Sequence, residues 1–296
     1  MYATRHTSMT RPVVILADNG SRRAAATLSL RAIAARLSQV LGTSVHAVSL
    51  QHADHIPAQR LDGEPAWVLA DFLRAQLTQG RRRFVVLPLF FGSSRALTSF
   101  IPDQVAELRK SFTDLQVDVA TPLVPLPDGE PRLVDILADH AAACARTLGE
   151  QPDRIIVVDH GSPLPQVTAV REYAARELAE RLPHATIEQA VMERRDGPEY
   201  DFNGALLAQV LARLGSSAPS VQRVAVLMLF LLPGRHAGPG GDIADICERA
   251  MQQHPSLKIA VSPLVGEHGL LTDILSDRLA TVMMREHGAE TLSHEG

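Results

Sequence analysis

The two halves of the chain repeat the same motifs, and this internal duplication constrains the fold more than any other feature. Residues 18–21 (DNGS) follow an apolar run, and residues 159–162 (DHGS) follow a similar run in the second half. Further along, residues 133–137 (LVDIL) correspond to residues 271–275 (LTDIL). A repeat period close to half of the chain indicates one structural unit that was duplicated.

The boundary between the repeats is expected at residues 149–152, where a glycine and a proline interrupt a helical pattern. We therefore predict two similar halves, residues 12–150 and 151–296. A chain of 296 residues with 46% hydrophobic content can bury a sizeable core in each half.

The hydrophobic pattern predicts an α/β fold in each half. Apolar runs at residues 13–17, 84–91, 155–158 and 224–232 are continuous rather than alternating, which is typical of parallel strands buried on both faces. Residues 28–41 and 167–182 are predicted to be amphipathic helices. Their apolar stripes consist of Leu30, Ile33, Leu37 and Val40 in the first and Val170, Tyr173, Ala174 and Leu178 in the second. Alternating strands and helices indicate two similar doubly wound parallel-sheet halves.

Composition excludes several classes of partner. The net charge is −4 and no stretch collects enough Lys and Arg to follow a nucleic acid backbone. The longest apolar runs are far shorter than the roughly 20 residues of a membrane-spanning helix.

Residues 1–12 contain no hydrophobic signal core and are expected to be a disordered leader, so we predict a cytoplasmic protein. Cys144 and Cys247 are expected to be buried thiols.

Three residues of the second half follow predicted strands at the edge where parallel sheets usually bind ligands. They are His160, Glu193 and His236. Two imidazoles and a carboxylate suit a divalent ion such as Co²⁺, Fe²⁺ or Ni²⁺, and neutral imidazole also accepts protons near neutral pH. Each residue alone has an ordinary alternative explanation, namely a strand-end turn, a surface ion pair and a capping histidine, respectively.

Together the three motifs resemble the class II tetrapyrrole chelatases, the sirohydrochlorin cobaltochelatases and ferrochelatases called CbiX, CbiK and SirB. The motifs are IIVVDHGS, AVME and LFLLPGRHAGPGGDI, and the resemblance extends in two copies from Pro12 to about Met284. It implies a chelatase fold, with His160, Glu193 and His236 as catalytic and metal-binding residues. It also implies insertion of Co²⁺ or Fe²⁺ into sirohydrochlorin or a related tetrapyrrole, in cobalamin or siroheme biosynthesis. The tetrapyrrole is expected in a cleft between the halves.

The first half departs from the family at each motif. Asn19 stands in place of the first histidine and Gln51 in place of the glutamate. Either Ser94 or Ala96 takes the place of the second histidine, depending on where the alignment is anchored. In the second half, the glycine-rich residues 238–241 make the loop after His236 longer than the family pattern. We therefore expect a single metal site, in the C-terminal half.

Sirohydrochlorin carries carboxylates around its rim, which guanidinium groups can pair with. Six arginines follow predicted strands, and only some of them are expected to bind: Arg22, Arg23, Arg95, Arg194, Arg195 and Arg235. Those of the second half, Arg194, Arg195 and Arg235, are the candidate substrate-binding residues, together with Ser162. Ser162 could equally cap the helix that follows it, and the default role of the arginines is surface charge.

Other functions remain open alternatives at this point. A metallochaperone or tetrapyrrole carrier would keep the cleft without turnover, and protoporphyrin ferrochelatase would favour a more aromatic cleft than Trp 1, Tyr 3 and Phe 8 supply. Nucleotide binding and Ser-dependent hydrolysis are disfavoured because their motifs are missing. No cofactor is expected beyond the substrate metal ion.

Overall fold

The computed structural model describes residues 11–217 and 220–293. The leader expected at residues 1–12 lies outside these residues, apart from its last two. In the last helix, side chains are described up to residue 285. No helix in the described ranges is both long and apolar enough to cross a bilayer.

The strands form two four-stranded parallel sheets, as the continuous apolar runs predicted. The first sheet has the order β2-β1-β3-β4 and the second the order β6-β5-β7-β8. The strands are β1 (Val13–Asp18), β2 (Val45–Ser49), β3 (Arg83–Pro88), β4 (Gln116–Val119), β5 (Arg154–Asp159), β6 (Thr186–Val191), β7 (Gln222–Met228) and β8 (Leu257–Val261). Equal order and direction in both sheets confirm the duplicated α/β fold.

Helices connect the strands and cover both faces of each sheet. They are α1 (Ala24–Leu41), α2 (Leu69–Thr78), α3 (Ile101–Arg109), α4 (Pro131–Leu148), α5 (Pro165–Arg181), α6 (Leu207–Ser217), α7 (Asp242–Gln253) and α8 (Leu270–Ser293). Short 3₁₀ segments lie at Ala53–His55, Ala58–Arg60, Pro198–Asn203 and Val265–Glu267, and a π-helical turn at Ala96–Phe100 precedes α3.

Two of the predicted strands were too long at their C-terminal ends. The runs 84–91 and 224–232 continue past Pro88 and Met228, where β3 and β7 end. Leu89 and Leu229 still lie in the hydrophobic core, 3% and 4% exposed. In both cases the apolar run extends beyond the end of the strand, because residues of the following loop are buried as well.

The predicted helices differ from the observed ones mainly at their starts. Helix α1 begins four residues before the predicted position, and α5 two residues before it. The predicted stripe of α5 is buried throughout, whereas in α1 the prediction for Val40 was wrong. Val40 is 64% exposed because it lies at the edge of the stripe in the last turn, before Gly42 ends the helix in the left-handed conformation.

The two halves exchange their last helices. Helix α4 belongs to the first half in sequence but packs on β7 and β8, and α8 of the second half packs on β3 and α1. One continuous hydrophobic core between the sheets results, with Leu16 and Val157 among its members. Separate outer cores lie under α2 and α3 and under α6 and α7.

Both cysteines are buried and free, as predicted. Cys144 lies in α4 and Cys247 in α7. Burial raises the pKa of the Cys144 thiol to about 11 and that of Cys247 to about 12. Neither thiol is therefore a thiolate ligand near neutral pH.

Candidate metal centre

The carboxyl ends of β5, β6 and β7 bring three predicted residues together. His160 follows β5, Glu193 lies two residues beyond the end of β6, and His236 lies in the loop between β7 and α7. One potential ligand atom from each lies within 4.8 Å of the others. The two imidazole rings are 4.9 Å apart between centroids, at 71° to each other. The side chains thus converge as the strand-end argument predicted.

A glycine turn sets the distance between His160 and Glu193. Gly161 has a φ of +88°, and a Cβ atom there would lie 1.9 Å from the Glu193 carbonyl oxygen. The Glu193 amide donates to the His160 carbonyl oxygen over 3.0 Å. Only glycine permits this close approach, so the DHGS motif holds the ends of β5 and β6 against each other.

A buried ion pair lies beneath this turn, and sequence analysis did not identify it. Arg171 of α5 is 2% exposed and donates to Asp159 Oδ1 over 2.6 Å, while the same oxygen accepts from the Gly161 amide over 3.0 Å. Burial raises the pKa of Asp159, and the Arg171 guanidinium opposes that rise. Arg171 also donates to the Asn203 carbonyl oxygen over 2.7 Å. The pair anchors the turn that carries His160.

His236 is the most buried of the three residues, at 6% exposure. Its Nδ1 atom lies 2.8 Å from Oδ2 of Asp242 in the first turn of α7. Its Nε2 atom lies 3.3 Å from Oε1 of Glu193. The longer glycine-rich loop therefore does not displace His236, since Gly238 and Gly240 adopt positive φ angles that fold the extra residues back. A pocket of about 290 Å³ opens beside this residue.

The donor set fits a borderline divalent ion. Nδ1 of His160 lies 3.2 Å from the Gly161 carbonyl oxygen, which can only accept a hydrogen bond. With Nδ1 protonated in both histidines, each Nε2 keeps its lone pair for a ligand. Two such nitrogens and the half-exposed Glu193 carboxylate make an open three-ligand site for ions such as Co²⁺ or Fe²⁺.

Ser162 has a structural role in the turn before α5. Its Oγ atom accepts a hydrogen bond from the Leu164 amide over 3.0 Å. Asn203, which is buried, accepts from the Ser162 amide and donates to its carbonyl oxygen, both over 2.9 Å. These contacts stabilise the turn, but Ser162 does not cap the helix, because Leu164 holds the N-cap position of α5 and no side chain caps it. Asn203 is a second residue that the sequence did not single out.

The guanidinium groups of Arg194 and Arg195 differ in the contacts that they make within the protein. Arg194 donates to Asp201 over 2.6 Å and to the Gly204 carbonyl oxygen over 3.0 Å. Arg195 is exposed and lies over the Tyr200 ring, 5.7 Å from its centroid. Arg195 is therefore freer to meet a substrate than Arg194.

Arg235 lies directly at the candidate metal centre. Its side chain is 70% exposed and lies 3.2 Å from Glu193 and 3.4 Å from Asp242. The first-half candidates are exposed, and no hydrogen bond or ion pair of their guanidinium groups is seen in the described ranges: Arg22, Arg23 and Arg95.

The first half repeats the geometry of the site without its ligands. Gly20 has a φ of +90°, and a Cβ atom there would lie 1.8 Å from the Gln51 carbonyl oxygen. Gln51 therefore corresponds to Glu193. Asp18 at the end of β1 corresponds to Asp159, but it is buried with Ser49 as its side-chain partner.

The register of the sheets favours Ala96 as the counterpart of the second histidine. Ala17 pairs with Pro88 in the first sheet, as Val158 pairs with Met228 in the second. Arg95 and Arg235 each follow these positions by seven residues in the sequence. Ala96 and His236 each follow them by eight residues, so Ala96 is the counterpart of His236. An alanine side chain offers no ligand atom, so the described residues of the first half hold no equivalent of the candidate metal centre.

Comparison with known proteins identifies the family. The CbiX family model matches residues 13–143 and 154–282, one copy in each half. The chain is 26% identical over 136 residues to a protein named chloroplastic sirohydrochlorin ferrochelatase from Arabidopsis thaliana. That match covers 46% of this chain and 55% of the Arabidopsis protein, so it spans about half the length of the relative.

Two solved structures share the fold over nearly the whole chain. SirB from Bacillus subtilis with Fe³⁺ superposes with a TM-score of 0.69 at 14% identity, over 94% of this chain and 98% of SirB. SirB from Bacillus subtilis subspecies spizizenii in complex with cobalt gives a TM-score of 0.64, with the same identity and coverage. At this identity the similarity establishes the fold alone. Since the family model matches both halves and most of their length, the chain belongs to the CbiX family.

Proposed function

We propose that this protein is a sirohydrochlorin metal chelatase, a lyase that inserts Co²⁺ or Fe²⁺ into sirohydrochlorin or a related tetrapyrrole. The observation that carries the proposal is the convergence of His160, Glu193 and His236 at one sheet edge. Membership of the CbiX family supports it, as do the name of the Arabidopsis relative and the metals bound in the two SirB structures. Cobalamin or siroheme biosynthesis is the corresponding pathway.

In the proposed mechanism, the Nε2 atoms of His160 and His236 and the carboxylate of Glu193 hold the incoming ion. Because three protein ligands leave coordination positions open, the ring nitrogens can approach the ion. Insertion releases the inner N–H protons of the ring, and the imidazoles accept them as the ion leaves. The ion keeps its charge throughout, so the reaction needs no redox cofactor.

We propose that Arg195 and Arg235 pair with carboxylates on the substrate rim. Both are exposed, Arg235 contacts Glu193, and Arg195 follows Glu193 by two residues in the sequence. A guanidinium presents donors that match a carboxylate. Arg194 contributes less, because its side chain is 30% exposed against 70% for Arg235 and donates to both Asp201 and the Gly204 carbonyl oxygen. Ser162 acts through the turn that it stabilises.

A direct insertion assay tests the proposal. Purified protein is incubated with sirohydrochlorin and with Co²⁺, Fe²⁺ or Ni²⁺ separately, and the absorption change of the macrocycle is followed against a protein-free control. We expect many insertions per chain with at least one metal. Binding of tetrapyrrole or metal in stoichiometric amount without turnover would instead identify a carrier or metallochaperone and contradict the chelatase.

The place of the reaction in the cell remains a prediction. We propose a cytoplasmic protein, although the Arabidopsis relative is chloroplastic by name. Fractionation of cells that express the full chain, followed by immunodetection, tests this prediction. Recovery in a membrane or organelle fraction would contradict it.

A further inference from the structure

Asp242 is tied to His236 by the backbone as well as by the side chain. The amide of Asp242 donates to the Arg235 carbonyl oxygen over 3.1 Å, and the amide of Ile243 donates to the His236 carbonyl oxygen over 3.0 Å. These bonds close the loop between β7 and α7 on itself. The carboxylate therefore has a fixed position relative to the imidazole, which is itself almost fully buried.

The contact determines which nitrogen of His236 carries hydrogen. A carboxylate only accepts hydrogen bonds, so the 2.8 Å contact with Asp242 Oδ2 places the hydrogen on Nδ1. The lone pair of Nε2 then faces Oε1 of Glu193 at 3.3 Å. Two acceptors that face each other repel unless a proton or a metal ion lies at Nε2. The arrangement thus prepares this point for a positive ion.

We infer that Asp242 is a positioning residue of the metal centre: it fixes the tautomer and direction of His236 so that Nε2 points at the ion. The inference rests on the proposed function, because it concerns how the same site holds its metal. A carboxylate behind a ligating histidine orients the ring and makes the nitrogen a stronger ligand. Asp242 does not touch the ion and acts through His236.

The first half supports the assignment by contrast. Ile101 and Ile243 are both buried at the start of the helix that follows the third motif, at 1% exposure each. The residue before Ile101 is Phe100, where the second half has Asp242. The half that lacks the imidazole therefore lacks the orienting carboxylate as well.

The test compares three variants in the full chain, without tetrapyrrole. Asp242→Ala removes the acceptor, and Asp242→Asn keeps a side-chain oxygen of similar size. Asp245→Asn is the matched control, because Asp245 is also an acidic residue in the first turn of α7 and has no hydrogen bond to His236 in the described residues. Any effect of lost negative charge at the helix start is common to both positions.

Co²⁺ affinity, measured from the visible absorption of bound cobalt, is expected to fall about 10- to 100-fold in Asp242→Ala. Asp242→Asn is expected to lose less, and Asp245→Asn to stay within about twofold, the size of a small surface effect. Imidazole ¹⁵N NMR of the metal-free wild type is expected to show His236 protonated at Nδ1, and Asp242→Ala to show a mixture of tautomers.

Unchanged Co²⁺ affinity in Asp242→Ala, an equal loss in Asp245→Asn, or a wild-type His236 protonated only at Nε2 would each overturn the inference. Thermal unfolding shows whether each variant folds. If Asp242→Ala does not fold, the Co²⁺ affinity of Asp242→Asn and the His236 tautomer of the wild type still test the inference. Because no measurement involves a tetrapyrrole, a failed insertion assay would contradict the proposed function and leave this inference standing.

Discussion

At the residue scale, the difference between His160 and Asn19 predicts one metal site per chain rather than two. Both residues follow a buried aspartate and precede a glycine of positive φ in equivalent turns. The turn is therefore retained in both halves, whereas the ligand is present in one. A side-chain amide is a poor ligand for Co²⁺ or Fe²⁺ and has no basicity near neutral pH.

We expect His160→Ala or His236→Ala to lower metal insertion by about 100-fold or more, since changes behind the ligands alone cost about 10- to 100-fold. Asn19→Ala, the matched control in the first half, is expected to retain nearly full activity. Titration with Co²⁺ should find one site per chain, absent from the double histidine variant. Two equivalent sites, or an inactive Asn19→Ala variant, would contradict the single centre.

Arg195 and Arg235 are expected to act on substrate binding rather than on turnover. Replacing either by Ala should raise KM for sirohydrochlorin about 2- to 10-fold, because an exposed ion pair contributes about 1 kcal/mol or slightly more. The value of kcat should change less, since rim contacts are the same in substrate and transition state. Arg74→Ala, an exposed arginine on α2, is the control. Unchanged KM in both variants would assign them to ordinary surface charge.

His140 makes stability depend on pH through burial. It is 4% exposed in α4, and its Nδ1 atom has no hydrogen-bond partner among the described residues. Burial, followed by the nearby His268, lowers its pKa from 6.5 to about 4, and Asp139 opposes the shift. The unfolded chain therefore binds the proton more readily, so His140 favours the folded state above about pH 6.5 and this contribution is lost as the pH falls.

We expect the free energy of unfolding of the wild type to fall about 2 kcal/mol more between pH 7.5 and pH 5 than that of His140→Leu. Denaturant titrations at the two pH values measure the difference, and other groups cancel because both proteins contain them. Equal decreases in the two proteins would show that His140 is not protonated on unfolding.

At the element scale, α8 is attached to the first half by a buried charged group. Glu130 precedes α4 and is 4% exposed, and Arg278 of α8 donates to its Oε2 atom over 2.7 Å. Arg132 donates to Oε1 over 2.7 Å. Burial raises the pKa of Glu130, but the hydrogen bonds and charge of Arg132, together with the charge of Arg278, outweigh it and leave the pKa lowered.

Replacing Arg278 by Ala should lower the free energy of unfolding by about 2 to 3 kcal/mol, because it leaves Glu130 and two loop carbonyl groups with fewer donors. Arg146→Ala, on the exposed side of α4, should change it by less than about 0.5 kcal/mol. Denaturant unfolding of the three proteins provides the measurement. Equal stability of both variants would show that the contact does not hold α8.

The elements could be predicted from sequence in type and order but not at their ends. Periodicity identified the buried stripe of α5, yet it extended β3 through Phe91 and placed Val40 in the core. Hydrophobic runs report burial rather than hydrogen bonding, so they continue where a strand stops. Asp159 and Arg171 were missed for a related reason, because a lone arginine on a helix is usually exposed.

At the scale of the whole molecule, the exchange of α4 and α8 makes the two halves interdependent. Each sheet has one face covered by a helix from the other half. We propose that residues 12–150 and 151–296 are structural repeats within one folding unit. An isolated half would expose the apolar face of its sheet to water.

We therefore expect residues 12–150 expressed alone to lack a cooperative unfolding transition, and to regain one when mixed with residues 151–296. Circular dichroism with thermal melting tests both expectations, and the full chain is the control. A sharp transition in the isolated first half would contradict a shared core and support independent domains.

The sequence alone was sufficient to predict the duplicated α/β fold, the family and the convergence of His160, Glu193 and His236. These features depend on local patterns: apolar runs, strand-end motifs and their repetition. Only the tertiary structure decided that Asp242 stands behind His236, that Arg171 neutralises Asp159, and that the last helices are exchanged. Such contacts join residues whose separation in sequence has no fixed period, so packing in three dimensions determines them.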